Sequence, residues 1–198
     1  MKTLISKKLL VLCAAATLFA FGACNSGPKQ EDTKEAAEEH NDTTVAKQEK
    51  NDAQFMVDAA AVNLKEIHVS EAALAHAMMA HTKQLAQMMI DDHQKAYNDL
   101  TSLAKSKNIA IPTNLTSGDI SDSVKIADAK PKNVDEDYCD MMVSGHKDAI
   151  DKFQKEITDG VDADTKNWAS SMLPGLQKHL DEAMKCQEEC KKMDKDMK

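Results

Sequence analysis

Four stretches of this chain repeat apolar residues at steps of three and four, a spacing that a helix satisfies and a strand does not. Phe55, Ala59, Val62, Glu66, Val69, Ala73 and His76 share one face, and Leu85, Met89, His93, Ala96, Leu100 and Leu103 share a second. A third face runs Tyr138, Met142, His146, Ala149, Phe153 and Ile157, after the acidic Asp135-Glu136-Asp137, and closes at Gly160. The fourth runs Trp168, Met172, Leu176, His179, Ala183, Cys186 and Cys190, with Asp162 placed to cap its first turn. Strand-like alternation is missing from all four. Aromatics at 4% and six glycines also weigh against a β-sandwich, which needs β-formers and turn glycines. The expected fold class is all-α.

Size then dictates where the helices break. A single helix from 52 to 107 would be about 84 Å long, too long for a domain of this size, so a tight turn is expected near 78–82. Local chemistry does not announce it, because Met78-Met79-Ala80 contains no turn residue. Pro174-Gly175 falls inside the fourth helix and is expected to kink it. Residues 108–132 carry Pro112, Gly118 and Pro131 among several Asp and Ser, and are long enough to cross a bundle from end to end.

The N-terminus reads as an address. Lys2, Lys7 and Lys8 precede an apolar run from Leu9 to Phe21 that is too short for a transmembrane helix. The run ends in Phe21-Gly22-Ala23-Cys24, which resembles a bacterial lipobox, with Phe21 replacing the usual aliphatic residue. That resemblance implies removal of residues 1–23 and lipidation of Cys24, and hence a membrane partner reached through acyl chains. It implies a bacterial envelope protein, on the outer membrane, with its domain in the periplasm or at the surface. Residues 24–51 are rich in Glu, Lys, Thr, Asp and Asn, and are expected to form a disordered tether before a domain at 52–185. Residues 186–198 form a Cys-, Met- and Lys-rich extension. The 25 basic residues are all lysine and the formal net charge is −8, which excludes nucleic acid as a partner.

Three motifs carry a further resemblance. Met89-Ile90-Asp91-Asp92-His93-Gln94-Lys95-Ala96 resembles the Met-x-x-Asp-His-x-Lys-Ala segment of a bacterial family of ferritin-like envelope domains. The family is catalogued as a domain of unknown function and often labelled a predicted outer-membrane protein. Tyr138 through Met142-Val143 to His146-Lys147 matches its second histidine motif, and Leu173-Pro174-Gly175-Leu176-Gln177-Lys178-His179-Leu180 its third. Ala59-Ala60 followed by Glu66 fits its first helix. Gly145 stands where the family commonly has Asp. The resemblance covers about 52–185 and implies a ferritin-like four-helix bundle with a long connection between helices two and three. It implies no known activity.

Each of the four faces holds one ligand-capable residue near its middle: Glu66, His93, His146 and His179. Such a layer could bind a transition metal ion through imidazole and carboxylate, or could simply be a polar layer in which histidines are satisfied by Glu66. Met89 and Met142 lie four residues before His93 and His146, and thioether beside imidazole points to copper, while methionine is also ordinary core packing. Ferritin-like di-iron sites use Glu-x-x-His motifs. Here Ile90, Val143 and Leu176 occupy those positions, which argues against a ferroxidase. Cys186 and Cys190, one helical turn apart, are candidates for a soft cation or for disulfides, with Cys139 as a candidate partner or a buried thiol. No Gly-rich phosphate loop, G-x-S-x-G elbow or H-E-x-x-H is present. The sequence therefore favours a non-enzymatic envelope module that binds an unknown envelope protein or supports the envelope. The alternative is a copper-type metal-binding or sequestration protein.

Overall fold

The computed structural model describes residues 33–196. The expected signal peptide, Cys24 and the first part of the expected tether lie outside the described residues. Six α-helices follow in order: α1 (Thr33–Thr44), α2 (Lys50–His76), α3 (Ala80–Ser106), α4 (Ser117–Asp128), α5 (Pro131–Asp159) and α6 (Ala163–Asp196). A short 3-10 turn at Lys47–Glu49 links α1 to α2, and no strand occurs among the described residues. None of the described helices is long and apolar enough to cross a membrane.

The four long helices α2, α3, α5 and α6 form the bundle. α2 packs along α3, α5 along α6, and α3 and α6 close the two hairpins on each other. The expected four helices are all present, and two more accompany them, so the architecture is a six-helix, broadly ferritin-like bundle. Residues 33–49, expected to be disordered, are ordered as α1 and the 3-10 turn. The reason is tertiary. Asn41 is buried on α1, and its amide both donates to the Ala110 carbonyl and accepts from the Ala110 N–H, each at 2.8 Å. Ala37 is buried beside it on the same helix. A polar segment with two small inward residues has no apolar signature for periodicity to detect.

The second addition is α4, inside the 108–132 connection. Its start is a capping box: the Thr116 hydroxyl accepts from the Asp119 N–H, and the Asp119 carboxylate accepts from the Thr116 N–H. Ile126 alone is fully buried on it. α6 runs unbroken through Pro174, and it continues past 185, so Cys186 and Cys190 belong to the bundle rather than to a separate extension. Asp162 caps α6 as expected, its carboxylate accepting from the Thr165 N–H at 2.8 Å.

Both hairpin corners are held by carboxylates from the opposite hairpin. The break between α2 and α3 is Ala77-Met78-Met79, and the N–H groups of Met78 and Met79 each donate to Asp135 of α5 at 3.0 Å. The corner between α5 and α6 is held by Asp52 of α2, which accepts from the N–H groups of Val161 and Asp162. Asp52 has a second neighbour. Glu156 of α5 is pushed up to about 7, first by burial and then by the adjoining Asp52 carboxylate, with Lys166 opposing. The folded state therefore holds a proton on Glu156 that the unfolded chain, with an ordinary value of 4.5, has released. Its contribution to stability is present below pH 4.5 and lost as pH rises through about 7. Glu156→Gln keeps the group neutral, so the variant should melt higher than the parent at pH 8 and close to it at pH 5. Thermal melts at the two pH values check this; equal melting temperatures at pH 8 would contradict it.

The core divides into two apolar clusters. One contains Val69, Leu85, Met89, Tyr138 and Met142 toward the α2–α3 corner, and the other Met56, Leu100, Phe153 and Leu176 toward the opposite end. Between them lies a polar layer.

Candidate metal centre

The layer is built from one residue at the middle of each of three helices. His93 of α3, His146 of α5 and His179 of α6 are all buried, and one ring nitrogen of each lies within 4.8 Å of one on each of the others. Their ring centroids are 5.7, 5.3 and 5.2 Å apart. The rings open on a cavity of about 200 Å³, lined by Asn63, Glu66 and Asp92 on its polar side and by Phe153, Trp168 and Met172 on its apolar side.

Hydrogen bonds fix which nitrogen of each ring carries its proton. His146 Nδ1 lies 2.9 Å from the Met142 carbonyl, which only accepts, so Nδ1–H donates and Nε2 keeps its lone pair. His93 Nδ1 lies 2.9 Å from Asn63 Oδ1, and the Asn63 amide is oriented by its own donation to the Ala59 carbonyl at 2.8 Å. The proton is therefore on His93 Nδ1, and His93 Nε2 is buried without a partner. His179 Nε2 lies 3.0 Å from Asp92 Oδ2, so Nε2–H donates and Nδ1 is left with a lone pair. Each histidine is thus oriented by a carbonyl or carboxylate on one side, the arrangement that surrounds metal-bound imidazoles.

The remaining lone pairs face one another. His146 Nε2 and His179 Nδ1 are 3.2 Å apart, with neither nitrogen able to donate once its partner on the far side is satisfied. Two such nitrogens repel unless a proton or a cation lies between them. A proton is disfavoured. Burial, reinforced by His179, lowers His146 to about 4; burial also lowers His179, against the pull of Asp92, and His93 is held well below its usual range. A cation meets the need without protonation. Two ligands on a tetrahedral ion with bonds near 2.0–2.1 Å stand roughly 3.3 Å apart, close to the observed separation.

Several residues expected at the site play other parts. Glu66 lines the cavity, but no hydrogen bond joins it to a histidine: its Oε2 is buried and unpartnered, and burial pushes its carboxyl up to about 7 against the pull of Lys65. The simple polar layer, with histidines satisfied by Glu66, is therefore not what forms. Met89 and Met142 pack in the apolar cluster and do not line the cavity; Met142 contributes its carbonyl, not its sulfur. Cys186 and Cys190 lie about two and three turns past His179 on α6 and do not line the cavity. Cys186 is disulfide-bonded to Cys139, and Cys190 is a buried free thiol. His76 and His68 are exposed, and His81 pairs with Glu182 and Glu189 at the surface.

Two residues that orient the site went unread in the sequence. Asn63 lies one turn before Glu66 on α2, and a buried polar residue there was its only signal. Asp92, which reads as a surface charge beside Asp91, is half exposed and reaches His179 from the rim. Gly145 leaves the space beside it to Glu66: a Cβ there would lie 3.3 Å from Glu66 Oε1.

A protein-family model described as "Domain of unknown function (DUF4142)" matches residues 35–186. No curated protein and no solved structure matches the chain.

Proposed function

The chain belongs to the family of that model, whose function carries no assignment, and from its own site we propose that it binds a first-row transition-metal ion through His93, His146 and His179. The observation that carries this reading is the set of three buried imidazoles, each tied down through one nitrogen and each turning its other nitrogen into a shared space. The site favours the metal-binding alternative over a purely supportive module, since a support layer has no use for opposed lone pairs. Three nitrogen donors without thioether suit copper(II) and zinc(II), with copper(II) the tighter among divalent ions. Burial pushes the Glu66 carboxyl up to about 7, so it is only partly ionised near neutral pH, and a bound ion would draw it further into the ionised form. The role we assign is retention or delivery of the ion rather than oxidation chemistry, because Ile90, Val143 and Leu176 replace the glutamates of the di-iron motif.

In the same reading the domain is held at the bacterial envelope by a lipid on Cys24, which the Phe21-Gly22-Ala23-Cys24 sequence supports. The two parts are tested separately. Protein stripped with chelator and incubated with copper(II), zinc(II), nickel(II), iron(II) or manganese(II) should take up one equivalent by native mass spectrometry. Asn63→Ala and Asp92→Ala should each weaken that binding by about 10–100-fold, because they release a histidine from its orientation. Uptake of none of the five metals would end the metal reading. For the anchor, Cys24→Ser should move the protein from the membrane to the soluble fraction; continued membrane retention would count against lipidation.

A further inference from the structure

At the end of the bundle nearest the α2–α3 corner, sulfur atoms from three elements converge. Cys139 of α5 and Cys186 of α6 are joined by a disulfide, and Cys190, one turn further along α6, is a free thiol. The three Sγ atoms lie within 4.8 Å of one another, and all three cysteines are buried. A fourth sulfur arrives from the corner: Met79 Sδ is 3.5 Å from Cys190 Sγ. The Thr82 hydroxyl stands 3.3 Å from Cys186 Sγ.

A structural disulfide explains two of these sulfurs but not the other two. Cys190 is left as a free thiol packed against the Met79 thioether. Met78, 68% exposed, adjoins Met79 in the corner, and Met193, 49% exposed, follows Cys190 by three residues on α6, so further thioethers stand in the same two elements. Thiolate and thioether together suit soft ions, Cu(I) foremost. The carboxylates of Asp135 and Glu136 act electrostatically on Cys190 and favour a cation beside it.

We propose that the reduced form of this cluster is a second, sulfur-only site for Cu(I), with Cys139, Cys186, Cys190 and Met79 as donors, and that the Cys139–Cys186 disulfide is its closed state. Opening requires a dithiol reductant. It supplies two electrons and two protons, the S–S bond breaks to two thiols, and the reductant leaves as its own disulfide. Cu(I) then displaces the thiol protons to water as the sulfur–metal bonds form. A disulfide oxidant reverses the first step after the ion has left. The site is independent of the histidine layer, and neither needs the other.

The experiment compares two forms of the full protein. One is reduced anaerobically with dithiothreitol and freed of reductant, and the other is left oxidised; both are titrated with Cu(I) against a chromophoric Cu(I) chelator. The reduced form should bind one more equivalent than the oxidised form, and X-ray absorption at the copper edge should show sulfur neighbours for that equivalent. Cys190→Ser leaves the disulfide pair intact and should weaken the extra equivalent by about 100-fold or more, the order expected for loss of a primary ligand where an outer partner already costs 10–100-fold. Met79→Leu, which conserves volume, should weaken it less. His146→Ala should leave it unchanged, which separates this site from the histidine layer. Equal uptake by the two forms, nitrogen-only neighbours in the reduced form, or full affinity in both Cys190→Ser and Met79→Leu would each overturn the proposal.

Discussion

Replacing His146 with alanine is expected to lower the affinity for copper(II) or zinc(II) by about 100-fold or more, a larger loss than removing any outer partner of the site. His146 supplies one of the two opposed lone pairs. Its Nε2 faces His179 at 3.2 Å, and its ring lies against both other histidines. A metal that binds only the folded state stabilises it by about 2.7 kcal/mol when present at a hundred times its dissociation constant. For a domain of this size that is roughly 5–10 °C in melting temperature. The parent protein should show such a rise when the ion is added, and His146→Ala should show no more than about 1–2 °C under the same conditions, since a 100-fold loss leaves the ion at the variant's own dissociation constant. The variant without metal has a second signature. Deleting one of two opposed lone pairs removes a repulsion as well as a buried ring, so its own stability should fall by less than the roughly 3–5 kcal/mol typical of a large buried aromatic truncated to alanine. His81→Ala is the control, because His81 pairs with Glu182 and Glu189 away from the layer. An undiminished rise in His146→Ala, or its loss in His81→Ala, would remove the site from this protein's metal chemistry.

How much of this was readable without coordinates depends on the range over which each feature is specified. The helix faces are local, and His93, His146 and His179 could be assigned to one layer because each sits on an apolar stripe near mid-helix. What the stripes cannot say is which nitrogen is free. That depends on Asn63, 30 residues before His93, and on Asp92, 87 residues before His179. Glu66 looked like the natural partner because a carboxylate is the stronger acceptor. The structure instead gives His93 an amide oxygen and leaves Glu66 Oε2 unpartnered. The methionines misled for a related reason. A residue four before a histidine shares its face, but the next turn of the bundle already belongs to the apolar cluster, and Met89 and Met142 pack there. α1 was invisible to periodicity because what ties it down is polar and distant in sequence: Asn41 reads the backbone of Ala110, 69 residues away, and the Thr33 hydroxyl accepts from the Asn114 N–H.

The α2–α3 corner shows the same long-range control, and its removal is the second large effect to expect. Met78-Met79-Ala80 contains no glycine, proline or capping side chain, so nothing local stops one helix or starts the next. The cap comes from α5. Asp135, buried at 5% exposure, accepts both the Met78 and the Met79 N–H, at the N-terminus of α3 where the helix dipole favours a negative charge. Asp135→Ala removes both acceptors at once and leaves two part-buried amides without partners. Loss of one charged hydrogen bond costs about 1.5–3 kcal/mol and loss of an N-cap typically about 1, so a combined cost of roughly 3 kcal/mol is expected. That corresponds to a fall of about 6–12 °C in melting temperature. The loss should be local in origin: amide exchange should accelerate first at Met78, Met79 and the opening turn of α3, and metal uptake by the histidine layer, several turns away along α3, should persist in the cold. Asp52→Ala should reproduce the pattern at the α5–α6 corner, where the same residue type accepts from Val161 and Asp162. A melting temperature within a degree of the parent for Asp135→Ala would mean that the corner is set by the packing of the helices it joins, and that the carboxylate merely follows.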